Sequence, residues 1–386
     1  MATTSSIASC WKKLSGEDNW DDLLHPLDLN LRRYIIHYLQ RAGAAGDAFN
    51  GTKASKGYAL SLYPTEEYFD KVGLEKGNPY HYRVTDFIYA ATGDDQAAYT
   101  AYVAVATDEG KAALGRRDIL VSWRGTMTAE EWSADTNLVQ TSARDLFGSD
   151  LVQVHAGFYG IYTKTTESNP YAKTSAREQA RKAVQALVDK YEHEEVSITV
   201  TGHSLGAALA TLNAMDIAYN GINKPTGNPL KAFMVTGFPA ASPRVGNVGF
   251  KAVCDTLRHF HLLRIVNSTD PVPKVPYAPL IYTHVGQHLD IDTTKSPLLK
   301  KPHNPHVLEI YEHGVAGVQE NGEFRLEEEV GFDNAVVNKY SGSLVDEYKY
   351  QITGGQRSCS REWFRKMMGA GTSSTLHTSQ ILRLLN

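Results

Sequence analysis

A five-residue segment, Gly202-His203-Ser204-Leu205-Gly206, constrains the fold of this chain more than any other feature. It fits the pattern G-x-S-x-G, which is common by chance, so the flanking sequence decides its meaning. A β-branched stretch from Val196 to Thr201 runs directly into it, and the Ala- and Leu-rich stretch 205–219 follows it. The context favours a strand–turn–helix connection over a Gly-rich turn with an incidental serine. It predicts a serine hydroxyl raised above the carboxyl edge of a sheet.

The residue types in this turn suit acyl-transfer chemistry. Gly202 and Gly206 are expected to remove side chains where backbones approach too closely, and the start of the following helix offers N–H groups that can hold an oxyanion. A serine hydroxyl is a poor nucleophile unless a base takes its proton and an acid orients that base. When the serine lies on such a turn, the acid and then the histidine follow it in the chain.

Asp270 is the candidate acid. The apolar strand Leu262–Val266 leads into Asn267-Ser268-Thr269-Asp270-Pro271, so Asp270 lies just past the carboxyl end of a strand, on the same edge as Ser204. Pro271 stiffens the loop that follows. The alternative is that Asp270 is only a turn residue.

Five of the histidines that follow Asp270 are candidates for the base: His284, His288, His303, His306 and His313. His306 is preferred because it ends a Pro-rich loop and precedes an apolar stretch, and His303 is the second choice. His284 and His313 are expected to cap or pack. The spacing of His303, His306 and His313 matches no standard zinc pattern, so no metal ion is expected.

Short apolar strands alternate with helices through the centre of the chain, which argues for an α/β fold with a mostly parallel sheet covered by helices. A helical N-terminal piece is predicted in 20–50, capped by Asp28 or Asn30, and a capping box of Ser175 and Glu178 begins a helix over 175–191. The predicted strands are 84–91, 98–106, 119–123, 196–200, 233–237 and 262–266. We expect one domain with an N-terminal helical extension (1–83).

Composition limits the remaining possibilities. A chain of 386 residues with a formal net charge of −4 lacks the concentrated basic surface of a nucleic-acid binder. Its three cysteines, Cys10, Cys254 and Cys359, are far apart, which favours a reducing compartment. No run is long enough to span a membrane and the first residues do not read as a secretory signal, so a cytoplasmic location is expected. The sequence gives no indication of the oligomeric state.

Several further segments occur in a characteristic order. They are Ser122-Trp123-Arg124-Gly125-Thr126, Trp132 with Asp135, Val154-His155-Ala156-Gly157-Phe158, Pro243-Arg244-Val245-Gly246-Asn247, Trp11-Lys12-Lys13-Leu14-Ser15-Gly16, Leu23-Leu24-His25-Pro26-Leu27-Asp28, Ser296-Pro297-Leu298-Leu299-Lys300 and His313-Gly314-Val315-Ala316-Gly317. With the 202–206 turn, they resemble the class 3 (fungal-type) lipase family of α/β-hydrolases, and most closely the class II plant phospholipase A1 group. The resemblance runs from about Ile7 to about Tyr348. Residues 38–49 depart from it, and Gln351–Asn386 matches nothing in the family, which suggests an altered terminus. The resemblance thus implies a lipase domain over 84–348 and a divergent tail over 349–386.

The resemblance implies a role for each matching position. Ser204 is similar to the nucleophile and Asp270 to the acid, and His306-Val307-Leu308-Glu309 is similar to the family's H-x-L-E segment, which favours His306 as the base. Thr126 and the Leu205 N–H correspond to the oxyanion hole, and Met127 and Trp132 fall where the family has a lid.

By the same resemblance, the chain is expected to hydrolyse the sn-1 acyl ester of glycerophospholipids without a cofactor and to contact membranes transiently. The alternatives are an esterase or lipase acting on triacylglycerol, galactolipid or other esters, and a lipase-like binding or signalling protein without turnover.

Overall fold

The computed structural model describes residues 7–126, 138–278, 280–299, 303–320 and 323–326. The expected lid residues Met127 and Trp132 and the expected tail 349–386 lie outside these ranges. The helices in chain order are α1 (Ile7–Leu14), α2 (Leu29–Asp47), α3 (Tyr68–Lys71), α4 (Asp108–Leu114), α5 (Arg144–Phe147), α6 (Ala156–Thr163), α7 (Ala176–Lys190), α8 (Leu205–Tyr219), α9 (Val248–Thr256) and α10 (Leu308–Ala316), with a 3₁₀ helix at Val272–Lys274. None of these helices is long and apolar enough to cross a membrane.

The strands are β1 (Tyr82–Ala91), β2 (Ala97–Ala106), β3 (Arg117–Trp123), β4 (Gln140–Ser142), β5 (Gln153–His155), β6 (Val196–His203), β7 (Met234–Ala240), β8 (Phe260–Asn267), β9 (Gln287–Ile291), β10 (Gly317–Glu320) and β11 (Glu323–Leu326). Seven of them form one sheet in the order β1-β2-β3-β6-β7-β8-β9. The five from β3 to β9 run parallel, whereas β1–β2 and β2–β3 pair antiparallel. This confirms the predicted α/β class with a mostly parallel sheet.

Both faces of the sheet are buried, which explains why its central strands read as continuous apolar runs. Every residue of β3 is buried. Successive side chains of β3 point to opposite faces: Ile119 and Val121 belong to one apolar core, and Leu120 to the other. Helices α7 and α8 contribute to the first core, and α2 contributes to the second.

Helix α2 attaches the N-terminal region to the sheet. Asp28 caps it, because its side chain accepts a hydrogen bond from the Leu31 N–H at 2.9 Å. Of the two predicted caps, the structure therefore uses Asp28 and not Asn30. Tyr34, Tyr38 and Leu39 of α2 are fully buried in the second core.

Helix α7 shows the predicted capping box. The Ser175 hydroxyl accepts a hydrogen bond from the Glu178 N–H, and the Glu178 carboxylate accepts one from the Ser175 N–H. The predicted apolar stripe of α7, including Ala180, Val184 and Leu187, faces the first core. This helix packs on the face of the sheet formed by β1, β2 and β3.

Candidate active site

The turn at Ser204 has the strained shape that its sequence pattern predicts. Strand β6 ends at His203 and helix α8 begins at Leu205, leaving Ser204 alone between them with φ 60° and ψ −126°. Positive φ is uncommon for a residue with a side chain and persists where the surroundings enforce it. The Ser204 N–H donates to the Ala240 carbonyl at 3.1 Å, which ties the turn to the carboxyl end of β7.

Glycine is required on both sides of this turn. A Cβ atom on Gly202 would collide with the Gly206 carbonyl, and one on Gly206 would collide with the Trp123 carbonyl. A Cβ on Gly125, in the loop after β3, would lie 3.8 Å from the Ser204 Cβ. The 125–126 loop therefore comes close to the serine.

Ser204, His306 and Asp270 form one hydrogen-bonded row. The His306 Nε2 lies 2.9 Å from the Ser204 Oγ, and the His306 Nδ1 lies 2.8 Å from the Asp270 Oδ2. These distances are within the range for a nucleophile, a base and the acid that orients the base. Ser204 is 8% exposed and Asp270 is fully buried, so the hydroxyl is close to the surface and the acid lies behind it.

Two further groups hold the Asp270 carboxylate. Its Oδ1 accepts a hydrogen bond from the Val272 N–H at 2.9 Å, and its Oδ2 accepts one from the Tyr311 hydroxyl at 2.6 Å. Burial alone would raise the pKa of Asp270, but the hydrogen bonds from His306, Tyr311 and the Val272 N–H outweigh it and bring the pKa below its ordinary value. The carboxylate is therefore charged at neutral pH. Sequence reasoning missed Tyr311, whose bond spans 41 residues.

His203 holds the backbone of the candidate base. Its Nε2 lies 2.8 Å from the His306 carbonyl oxygen, and the two imidazole rings are 4.8 Å apart. Burial, with a smaller contribution from His306, lowers the pKa of His203 to about 3, so the ring is neutral at physiological pH. A carbonyl only accepts hydrogen bonds, so Nε2 is the protonated nitrogen of His203. The sequence identified His203 only as part of the turn.

The two expected oxyanion donors come from the loop after β3 and from the start of α8. Thr126 follows Gly125 in the loop after β3, and β3 is the direct neighbour of β6. Leu205 is the first residue of α8, and the first N–H groups of a helix have no acceptor within it. The helix N-terminus also carries a partial positive charge, which suits a developing oxyanion.

Three other candidate histidines, His288, His303 and His313, contact groups other than Ser204 and Asp270. The His303 Nε2 lies 3.4 Å from the Thr293 hydroxyl, and the His288 Nε2 lies 3.3 Å from Asp290. His313 is fully buried, with its Nε2 2.8 Å from the Ser296 hydroxyl, as expected of a packing residue. In the part of the chain that the structure describes, no group of three or more His, Cys, Asp and Glu side chains has the arrangement of a metal site.

Known proteins resemble this chain over almost its whole length. The profile of the class 3 lipase family matches residues 120–280. Phospholipase A1-IIgamma of Arabidopsis thaliana is 43% identical over 373 residues, which cover 90% of this chain and 88% of that protein. Phospholipase A1-II 6 of Oryza sativa subsp. japonica is 45% identical over 367 residues, which cover 88% of each. The solved Rhizomucor miehei triacylglyceride lipase is 20% identical over 67% of this chain and 79% of its own, with a TM-score of 0.44.

Proposed function

The chain belongs to the class 3 lipase family and, within it, to the phospholipase A1-II group, and on this premise we propose that it hydrolyses the sn-1 acyl ester of glycerophospholipids. The observation that carries the proposal is the hydrogen-bonded row from Ser204 through His306 to Asp270. We assign Ser204 as the nucleophile, His306 as the general base and Asp270 as the acid that orients it.

The first half of the reaction acylates the serine. The Ser204 Oγ attacks the ester carbonyl carbon while His306 Nε2 accepts the hydroxyl proton. The tetrahedral intermediate places its negative charge where Thr126 and the Leu205 N–H are proposed to donate hydrogen bonds, an effect typically worth about 10²–10³ in rate per donor. As the intermediate collapses, His306 gives the proton to the leaving glycerol oxygen, and lysophospholipid departs.

The second half releases the fatty acid. Water loses a proton to His306 Nε2 and attacks the acyl-serine carbonyl through the same oxyanion geometry. Collapse returns the proton to Ser204 and frees the carboxylic acid. Asp270 stays charged through both halves and holds the imidazole with Nδ1–H toward itself, which leaves Nε2 free to face the serine. These steps use protein side chains and water, and the proposal includes no cofactor.

A positional assay tests the substrate assignment. The enzyme is incubated with phosphatidylcholine carrying a different acyl chain at each position, and the fatty acid and lysolipid are identified by chromatography. Release of the sn-1 chain only, with loss of that activity in Ser204→Ala, is the expected result. Release of the sn-2 chain, or a much faster reaction on triacylglycerol or galactolipid, would replace the phospholipase A1 assignment by one of those esterase activities.

We also propose that the enzyme acts in the cytoplasm and meets membranes transiently. The separated cysteines support the location, and Cys254 is a buried free thiol in the structure. The absence of a polybasic stretch from the sequence argues against stable electrostatic anchoring. Fractionation of cells that express a tagged full-length chain tests this, since recovery mainly in an organelle or a carbonate-resistant membrane fraction contradicts it.

A further inference from the structure

Exposed apolar side chains concentrate on one surface of the molecule. Eleven large hydrophobic residues are exposed in the part of the chain that the structure describes, and five of them lie in two short segments. These five, which we call the apolar rim, are Leu138, Val139, Tyr277, Leu280 and Ile281. Leu280 is 97% exposed and Tyr277 is 78% exposed. Scattered surface hydrophobics are ordinary, but a contiguous group marks an interaction surface.

Hydrogen bonds join the two segments into one surface. The Tyr282 hydroxyl donates to the Leu138 and Val139 carbonyls at 3.2 and 3.3 Å, and the Gln140 side-chain amide donates to the Ile281 carbonyl at 3.0 Å. Tyr282 itself is buried, so it anchors the turn from which its neighbours project. The Tyr282 and Ile281 N–H groups both donate to the Ala278 carbonyl, which makes this turn compact.

The apolar rim lies on the same edge of the sheet as the serine. Its second segment belongs to the loop that begins at Asp270 and continues through the 3₁₀ helix. Further along this loop, the Val275 carbonyl accepts a hydrogen bond from the Arg244 N–H at 2.8 Å. Arg244 follows the carboxyl end of β7, where the Ala240 carbonyl holds the Ser204 N–H.

The charge of both segments suits a lipid surface. Neither 138–144 nor 271–287 contains an acidic residue, although the chain as a whole has a net charge of −4. Lys274, in the same loop, is exposed. Apolar side chains with a neighbouring cation match the acyl and headgroup layers of a phospholipid surface, where buried apolar area and attraction to anionic lipids add.

We propose that the apolar rim is the surface by which this enzyme docks on phospholipid bilayers, with Leu138, Tyr277, Leu280 and Ile281 entering the interface. The inference rests on the proposed function, because it explains how a substrate embedded in a bilayer reaches the Ser204 edge. The apolar rim is a docking surface separate from the residues proposed to carry out the chemistry.

Leu280→Glu and Leu230→Glu are a matched pair for the test. Leu230 is 96% exposed, as Leu280 is, but it lies shortly before β7 and so at the opposite edge of the sheet. Both variants are made in the Ser204→Ala background to prevent hydrolysis, and their binding to vesicles of phosphatidylcholine mixed with phosphatidylglycerol is measured by co-sedimentation. Leu280→Glu is expected to bind at least about tenfold more weakly than Leu230→Glu, because it replaces an inserted apolar side chain by an anion. Leu138→Glu, from the other segment, is expected to do the same.

Activity measurements separate docking from chemistry. With Ser204 intact, Leu280→Glu is expected to hydrolyse dissolved p-nitrophenyl butyrate at the parent rate and vesicle phospholipid about tenfold more slowly. If the parent binds vesicles through the rim but releases no sn-1 fatty acid, the proposed function fails and the docking surface stands. Equal vesicle binding by Leu280→Glu and Leu230→Glu, or no binding by the parent, overturns the docking proposal. A dimer in gel filtration that Leu280→Glu dissociates would assign the surface to a second copy of the chain and overturn it as well.

Discussion

At the scale of single residues, the proposed chemistry depends on a side chain held in an unfavourable backbone conformation. Ser204 adopts positive φ because β6, α8 and the Ala240 carbonyl together fix the turn, and the hydroxyl thereby reaches His306. Energy stored in such a conformation is supplied by the rest of the fold. The turn is thus shaped for reactivity at some expense of local stability.

Replacing the serine tests its role directly. Ser204→Ala is expected to lower hydrolysis of p-nitrophenyl butyrate by about 10⁴-fold or more, since the remaining groups cannot form the acyl-enzyme. The free energy of unfolding is expected to stay within about 1 kcal/mol of the parent, because the change removes a single atom and leaves no large cavity. Fluorophosphonate labelling followed on a gel provides the second readout. A parent chain that fails to react with the probe would favour a lipase-like protein without turnover.

Tyr311 offers a test of how the acid is held. Tyr311→Phe removes the 2.6 Å hydrogen bond to the buried Asp270 carboxylate and leaves the ring in place. A hydrogen bond to a charged group contributes about 1.5–3 kcal/mol, so we expect a loss of that order in urea unfolding. We also expect kcat to fall with little change in KM. Tyr219→Phe is the control, because its hydroxyl bonds a carbonyl at Phe147, far from the acid. Equal effects of the two variants would show that Tyr311 has no special relation to Asp270.

His203 is predicted to position the base through its backbone. His203→Phe keeps a ring but loses the Nε2–H bond to the His306 carbonyl, so we expect kcat to fall by about ten- to a hundredfold as His306 loses its fixed geometry. His203→Gln retains an N–H donor on a side chain of similar reach and should recover part of the loss. The two variants are compared in steady-state kinetics on a dissolved ester. A Gln variant as slow as the Phe variant would contradict the hydrogen-bonding role.

At the scale of elements, the sequence predicts well where local pattern and burial agree. Helix α8 spans the predicted 205–219, and α7 lies within one residue of the predicted bounds at each end. Strand β9 was missed because Gln287-His288-Leu289-Asp290-Ile291 is short and half polar, as befits an edge strand with alternate residues exposed. The hydrogen bonds from Tyr311 and His203 join residues 41 and 103 positions apart, and no periodicity in one sequence reveals such contacts.

Helix α10 shows how one element supports the site from its far end. It begins two residues after His306 and carries Tyr311. At its other end, the Nη1 of Arg32, a residue of α2, donates hydrogen bonds to the Val315 carbonyl at 2.7 Å and to the Gly317 carbonyl at 2.5 Å. A cation at a helix C-terminus donates hydrogen bonds to carbonyls that lack intrahelical partners, and it is attracted to the negative end of the helix dipole. Arg32 is itself buried, so these bonds are shielded from water.

Loss of this contact is expected to loosen the histidine segment. Arg32→Met should destabilise the protein by about 1.5–3 kcal/mol and raise hydrogen exchange in peptides covering 306–317. Arg33→Met, at the next and more exposed position of α2, is the control. Exchange in the 306–317 peptides that stays at the parent rate in Arg32→Met would show that α10 is held by other contacts.

At the scale of the whole molecule, a buried polar cluster joins the N-terminal region to the sheet. The side chains of Arg116 and Asp118 are both inaccessible to solvent, and the Arg116 Nη2 lies 3.5 Å from the Asp118 Oδ1. Arg116 donates to the Tyr34 and Tyr38 hydroxyls of α2, and Asp118 accepts from Tyr38 and Tyr82. Fully satisfied networks of this kind are rigid, and breaking one partner leaves a charge buried without compensation. The hydrogen bonds of this cluster therefore cross the boundary expected near residue 83, between the N-terminal extension and the rest of the chain. Neither part can satisfy these buried groups without the other.

This cluster predicts that α2 and the sheet unfold together. Native-state hydrogen exchange in increasing urea should give peptides from α2 and from β6 the same opening free energy, because separating them removes the Tyr34 and Tyr38 hydroxyls from Arg116 and Asp118. Arg116→Met leaves Asp118 without its cation, so the common value should fall by about 3–5 kcal/mol while both regions still open together. Arg144→Met is a useful comparison, since Arg144 and its partner Asp150 are both exposed, and such surface pairs contribute about 1 kcal/mol or less. If α2 instead opens at a clearly lower free energy than β6 in the parent, the N-terminal region is an independently unfolding appendage, and its contacts with the sheet do not make one cooperative unit.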